Sequence, residues 1–535
     1  MARTGDPNAA WWRGAVIYQV YPRSFQDTSG NGVGDLRGIT ERLDHVASLG
    51  VDAIWLSPFF QSPMRDMGYD VSDYRAVDPL FGTLDDFDAL VERAHSLGLK
   101  IIIDQVLSHS SDKHPWFEES RRSRDNPKSD WYVWADPKPD GSPPNNWPGV
   151  FGGPAWEYEP QREQYYLHNF LIEQPDLNFH NPDVQDALLA DMRFWLDRGV
   201  DGFRLDTVNL YHHDPQLRDN PPASGERWGV LPYDMQDHIY SKTRPENIAF
   251  LQRMRALTDE YEDRMLVGEV GAEFRSLEVM AEYTQGDDRL HTAYSFEFLR
   301  GTYGAEFFRS AIEDYFQRAP DAMPCWTFSN HDTSRPVSRW ANHAHARERF
   351  AEQMLALLLA LPGSTCIYQG EELGLPDGEV YRDELTDPIG IRFWPRNKGR
   401  DGCRTPMPWE NGPQAGFTTG TPWLPVRAPH PAMSVAEQEA DPSATLHRAR
   451  RLLAFRRGSE ALRHGGVRFL DVAPPLLAFE RGEGEGVVLC AFNLEGGTLS
   501  FETEGQFDNE APRAGASLEN GVLRLEANGF AFVRL

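Results

Sequence analysis

The chain has 535 residues, 40% hydrophobic and 25% charged, an ordinary globular balance that excludes a single small module. With 53 basic against 81 acidic side chains the net charge is −28, which argues against nucleic acid or an anionic membrane as the main partner. Cys325, Cys366, Cys403 and Cys490 lie far apart without a CxxC pair, so neither a disulfide framework nor a thiolate zinc site is expected. The N-terminus carries no apolar leader and no run of about 18 apolar residues occurs, pointing to a cytoplasmic protein with no membrane partner.

Short β-branched or apolar runs occur at 15–21, 53–56, 100–106, 202–205, 265–269, 292–296, 325–329 and 364–368. Segments with helical periodicity lie between several of them, at 84–96, 184–197 and 245–260, the last opening on Pro245 as a first helical residue would. Eight such runs predict a (β/α)8 TIM barrel, although the same alternation would suit a doubly wound sheet. Residues 110–174, rich in Pro, Gly, Asn, Trp and Tyr, interrupt the rhythm and read as an inserted lid subdomain. After a helical run at 445–456 the period falls to two. Runs at 467–472, 476–480, 487–493, 499–502, 522–526 and 530–535 predict a C-terminal antiparallel β-sandwich. The expected organisation is therefore barrel at 1–109, insertion at 110–174, barrel again at 175–462 and sandwich at 463–535.

Barrel active sites lie at the C-terminal ends of the strands, so the polar residues there matter first. The third strand ends in Asp104-Gln-Val-Leu-Ser-His109 and the fourth in Gly202-Phe-Arg-Leu-Asp206-Thr. The fifth ends in Val267-Gly-Glu269 and the seventh in Phe328-Ser-Asn-His331-Asp332. One Asp after a strand reads as a helix cap; four acids and two histidines in this order do not.

These motifs resemble the α-amylase superfamily of glycoside hydrolases, in its bacterial α-glucosidase and oligo-1,6-glucosidase branch. The likeness also runs through Trp12-Arg-Gly-Ala-Val-Ile-Tyr-Gln-Val-Tyr-Pro-Arg-Ser-Phe, Met67-Gly-Tyr-Asp-Val-Ser-Asp-Tyr and Gln174-Pro-Asp-Leu-Asn. It extends to Gln369-Gly-Glu-Glu-Leu-Gly and Arg404-Thr-Pro-Met-Pro-Trp, and so covers nearly the whole chain. The resemblance implies Asp206 as the nucleophile, Glu269 as the general acid and Asp332 as the third carboxylate, which binds hydroxyls and steadies the oxocarbenium-like transition state. Arg204, two residues before Asp206 on the same strand face, would hold the nucleophile ionised. Asp66, Tyr69, His109, His331 and Arg404 match positions that bind a terminal glucose, Asp66 and Arg404 gripping its far hydroxyls and Tyr69 stacking on its face. Ser108 stands where many members have Asn, so the role of that Asn in a calcium site is not carried over. Aromatic residues of the insertion, Trp131, Trp134, Trp147, Phe151, Trp156 and Phe170, would wall the pocket or fill the core.

The segment Asp27-Thr-Ser-Gly-Asn-Gly-Val-Gly-Asp35-Leu fails the Gly-x-Gly-x-x-Gly nucleotide pattern, because Asp35 takes the sixth position. It resembles the head of a calcium loop, with Asp27, Ser29, Asn31, Asp35 and the Val33 carbonyl as ligands of a structural Ca2+ or Mg2+. Gly38 stands where such loops carry a twelfth-position Glu. No organic cofactor is implied.

Thr207 follows the nucleophile, and in this branch Thr there accompanies α-1,4 preference. The implied activity is a retaining α-glucosidase that acts on maltose and short oligosaccharides, with transglucosylation as a side reaction. A sucrose hydrolase or isomerase and an oligo-1,6-glucosidase are the rival activities. A catalytically degenerate transporter subunit is disfavoured because the acids are all present. The partner is a small oligosaccharide; subunit number is left open.

Overall fold

The computed structural model of the protein describes residues 10–224, 231–272, 275–300, 302–484, 486–507 and 510–535. Eight parallel strands form its centre: β1 (Val16–Val20), β2 (Ala53–Leu56), β3 (Lys100–Gln105), β4 (Gly202–Leu205), β5 (Met265–Val270), β6 (Thr292–Ser295), β7 (Cys325–Thr327) and β8 (Ser364–Tyr368). Consecutive strands pair in order, and β1 pairs with β8 in the register Val16 to Thr365. A bridge between Ala293 and Pro324 links β6 to β7. First and last strands joined in this way make a (β/α)8 barrel, which settles the choice against an open doubly wound sheet.

The period of two along each strand sorts side chains into two cores. Ile101 and Ile103 face the helices, whereas Ile102 joins Ile17, Ala53, Trp55, Met265, Val267, Tyr294, Cys325 and Cys366 inside the barrel. Two residues further up the same inward rows stand Gln19, Asp104, Arg204 and Glu269. The apolar floor and the polar mouth are thus successive layers of one pattern.

The expected helices form at Leu84–Ser96, opened by a capping box between Thr83 and Asp86, and at Pro182–Asp197, where Asn181 caps the first turn. The third is shorter than the sequence suggested. It runs Asn247–Thr258, and Pro245 stands before it, its carbonyl accepting only an i→i+3 bond from Ile248 N–H.

The insertion holds a short helix, Pro115–Ser120, and a three-stranded antiparallel sheet of Trp134–Ala135, Gln164–Leu167 and Trp156–Glu159. Trp147 and Trp156 fill its own small core with Val133, Ala155 and Leu167. Trp131 and Trp134 pack on the main core.

At the C-terminus an antiparallel sheet begins at Val467. Two strands expected at 522–526 and 530–535 are one long strand, Val522–Arg534. The Asn528-Gly529 pair that signalled a turn is only a bend, with Asn528 at φ 51°. The bend lets the first half pair with Leu499–Glu502 and the second with Val488–Asn493. Leu523 and Leu525 then share a core with Ala531 and Val533, so the sheet folds over on itself. The strand Arg513–Glu519 was not foreseen: it does alternate, but its apolar row is only Ala514, Ala516 and Leu518, too small a signal beside Gly515.

Arg456, fully buried on the helix Thr445–Gly458, fastens the seam where the barrel closes. Its guanidinium donates to the carbonyls of Gly14 and Gly363, just before β1 and β8, and to those of Leu359 and Leu361. Arg456→Met keeps the apolar volume but strands four buried acceptors. Loss of about 3 kcal/mol is expected, read as a lower denaturant midpoint; an unchanged midpoint would show that the seam closes without it.

Candidate active site

The mouth of the barrel is organised by one cation. Arg204, completely buried, donates from Nη1 to Asp104 Oδ1 at 2.8 Å and to Asp206 Oδ1 at 2.7 Å. Its Nη2 lies 2.6 Å from Glu269 Oε1, and its Nε donates to the Tyr294 hydroxyl at 3.0 Å. Tyr294 O–H donates in turn to Glu269 Oε1, and Thr207 N–H donates to Glu269 Oε2 at 3.2 Å. Three acids from β3, β5 and the end of β4 share a single positive charge.

That sharing decides their proton affinities. Burial raises the Asp206 carboxyl to about 7 against the opposing pull of Arg204, with Asp104 and Asp332 adding repulsion. Burial likewise raises Glu269 to about 7, again opposed by Arg204 and reinforced by Asp206 and Asp332. Asp104 rises to about 6. Arg204 acts on Asp206 in the expected direction, favouring its ionised form, and works against the desolvation of three carboxyls that share its charge.

Asp332 has the opposite environment. Its Oδ1 accepts from Arg404 Nη2 at 2.5 Å and from Arg400 Nη1 at 3.1 Å, with His331 Nε2 3.5 Å away. Burial works against its charge, but these neighbours hold the carboxyl far below the usual range. Burial also keeps His331 neutral, so the two arginines supply the positive charge.

The remaining expected residues surround this centre. Tyr69 O–H bonds Asp104 Oδ2 at 3.0 Å and lies 2.6 Å from His331 Nε2. Its ring lies parallel to that of His331, with centroids 5.3 Å apart and planes at 2°, and the 2.6 Å contact between hydroxyl and Nε2 joins the two edge to edge. His109, fully buried and lowered to about 4 by burial, is neutral beside the Tyr69 carbonyl and Gln174. Asp66 accepts from Gln174 Nε2 at 3.2 Å and from Arg400 Nη2 at 3.0 Å. Asp66 is thus ion-paired with Arg400. Arg404 ends the 3-10 turn Asp401–Arg404 and points beneath it, to Asp332 and the His331 carbonyl.

Arg400 was missed by sequence reasoning, although it bridges Asp66, Asp332 and Asp387. It sits in a non-periodic loop where nothing distinguishes the arginine that turns inward. Asp104 was visible as a strand-end acid without a role. Gln174 was visible only as part of a motif. Of the insertion's rings, Phe151 and Phe170 reach this region: Phe151 lies under the Arg400 guanidinium at 5.3 Å, and Phe170 packs on His109 at 5.1 Å.

The loop 27–35 stands apart and closes on itself. Asp27 accepts the N–H groups of Ser29, Gly30 and Gly32 and the Thr418 hydroxyl, while Asp35 accepts from Thr28 and Gly38. Asn31 Oδ1 accepts from Val33 N–H. A Cβ at Gly32 would fall 1.9 Å from the Thr421 carbonyl oxygen, so only glycine fits that turn. Among the described residues no group of three or more His, Cys, Asp or Glu could hold a metal. The donor set is nevertheless hard oxygen throughout, which fits a Ca2+ or Mg2+ ion in kind, with hydroxyl, amide and carbonyl oxygens completing two carboxylates.

A (β/α)8 barrel whose strand ends gather four carboxyls, three raised toward neutrality and one firmly ionised, has the equipment of a glycoside hydrolase. The chain belongs to the α-amylase family, residues 19–465 matching the model for the alpha amylase catalytic domain. It is 57% identical over 496 residues to a protein of Rhizobium meliloti (strain 1021) named probable alpha-glucosidase, covering 91% of this chain and 90% of that one. It is 38% identical to the oligo-1,6-glucosidase of Heyndrickxia coagulans, over 92% of this chain and 93% of the relative. The solved structure of an alpha-glucosyl transfer enzyme, XgtA, superposes with a TM-score of 0.94 at 53% identity, covering 98% of this chain and 99% of that one. The protein is a glycoside hydrolase of the α-glucosidase and oligo-1,6-glucosidase group.

Because the carboxyl of Asp206 is raised on folding, its contribution to stability is full below the unfolded carboxylate range and is lost as pH rises toward 7. Asp206→Asn should therefore abolish turnover yet raise the thermal midpoint at pH 7–8, the gain vanishing near pH 4. A lower midpoint at pH 8 would refute the shared-cation account.

Proposed function

We propose that the protein is a retaining, exo-acting α-glucosidase that releases α-glucose from the non-reducing end of maltose and short α-1,4-linked oligosaccharides. The observation that carries this reading is the attachment of Asp206 and Glu269 to neighbouring nitrogens of one guanidinium. Carboxyls held this close suit direct attack, whereas inversion needs room for a water between them. Asp206 attacks the anomeric carbon as Glu269 gives its proton to the departing oxygen, forming a glycosyl ester. Glu269, now a carboxylate, takes a proton from water, which attacks the same carbon, frees α-glucose and restores Asp206. An alcohol in place of water gives transglucosylation, and the likeness to a glucosyl transfer enzyme supports that side reaction.

Exo action is supported by the far end of the site. Arg400 joins Asp66 to Asp332 and blocks a longer chain there while offering charged partners to terminal hydroxyls. The Thr207 hydroxyl, 3.3 Å from Asp206 Oδ2, supports α-1,4 preference by adding polarity beside the leaving sugar. Four buried free thiols suit a reducing, cytoplasmic setting. No described helix is long and apolar enough to cross a membrane.

Proton NMR of maltose cleavage tests the reading. Wild type should release α-glucose first, and Glu269→Gln should lower kcat by about 10²–10⁴-fold. Initial β-glucose would overturn retention, and faster cleavage of isomaltose would overturn the linkage. The pH profile of kcat/KM should be a narrow bell centred near 7, since both acids are raised to about 7 and titrate as one cluster.

A divalent ion held by Asp27, Ser29, Asn31, Asp35 and the Val33 carbonyl would neutralise the loop's carboxylates and supply no chemistry at the barrel mouth. Chelation should lower the thermal midpoint and leave kcat of the folded protein unchanged; loss of kcat at constant midpoint would contradict a structural ion.

A further inference from the structure

Ser108, the residue that departs from the family pattern, is buried between two groups of the site. Its Oγ lies 2.9 Å from His109 Nδ1 and 3.1 Å from Thr207 Oγ1, and Thr207 Oγ1 lies 3.3 Å from Asp206 Oδ2. At the other end of the imidazole, Nε2 lies 3.0 Å from the Tyr69 carbonyl, an acceptor, and 3.1 Å from Gln174 Nε2, a donor. The Gln174 amide is oriented independently, its Oε1 accepting Leu171 N–H and its Nε2 donating to Asp66. Thr207 itself is a β-branched residue held in left-handed backbone at φ 40° and ψ 47°, a conformation its surroundings must impose.

A neutral imidazole carries one proton. With that proton on Nδ1, Gln174 N–H donates to Nε2 and Nδ1–H donates to Ser108. Ser108 O–H then donates to Thr207, and Thr207 O–H to an ionised Asp206. The opposite tautomer would set Nε2–H against the Gln174 N–H, so the chain runs toward Asp206.

We propose that Ser108 is a positioning residue, carrying a hydrogen-bond relay from His109 through Thr207 to the nucleophile Asp206. The inference rests on the assignment of Asp206 as nucleophile. Arg204 engages Oδ1 of that carboxylate while the relay engages Oδ2, so both oxygens are fixed and the ionised form gains a second donor. The other groups that face Asp206 are Asp104 from β3, Glu269 from β5, Asp332 after β7, Tyr211 beyond β4 and Tyr69 after β2. None of them donates a hydrogen bond to Oδ2.

The test compares wild type, Ser108→Ala and Ser108→Thr on p-nitrophenyl α-glucoside and on maltose, across pH. Loss of a donor to an ionised group should move the acidic limb of kcat/KM upward by about one pH unit and lower kcat about tenfold, with KM changed by less than about twofold. Ser108→Thr, which keeps the hydroxyl, should return the limb to its wild-type position. If Ser108→Ala fails to fold, Thr207→Val cuts the same chain and should shift the limb equally on the aryl glucoside. An unmoved limb in the folded variant, or a loss confined to KM, overturns the relay. Wild type that cleaves the aryl glucoside but not maltose overturns the substrate reading and leaves the relay to be judged on its own limb.

Discussion

One guanidinium buried at the top of a barrel and divided among three carboxyls is the constraint on which the site depends. Arg204 cannot satisfy Asp104, Asp206 and Glu269 together, and the excess of negative charge has no water to spread into. Desolvation therefore lifts all three proton affinities toward neutrality. A cluster that holds protons at neutral pH can give one to a leaving group and lose another to become a nucleophile. Such an arrangement costs stability, which the apolar layers beneath must supply.

Across the same mouth the balance differs. Asp332 faces two arginines, and its charge persists although it is only partly exposed. Proton donation and permanent negative charge thus coexist because cations are unevenly distributed, one for three carboxyls on one side and two for three on the other. The chemistry of each acid follows from that count more than from its residue type. Arg400 extends the logic to Asp66 and Asp387, tying three separate loops to one wall.

Elements with a strong local signal were legible. All eight barrel strands occur at the expected places, since runs buried on both faces stand out from amphipathic neighbours. The helix Leu84–Ser96 has the expected bounds because Thr83 and Asp86 form a capping box. The strand Arg513–Glu519 and the single strand Val522–Arg534 were not legible, as one alternates only through two alanines and a leucine and the other runs on through Asn528-Gly529. Much the same division runs through the site. Residues on strand ends were found by position, but Arg400 belongs to an irregular loop, where local pattern says nothing about direction.

The amino-acid order by itself determined the barrel, the inserted subdomain, the C-terminal β region and the set of acids at the strand ends. It did so because side-chain periodicity and strand-end position are local properties that survive without coordinates. Only the tertiary structure decided how the cations are shared, which arginine meets Asp66 and how Ser108 lies between His109 and Thr207. Those relations join residues up to several hundred positions apart, and proton affinity depends on burial and on neighbours brought close by folding, which no local pattern contains.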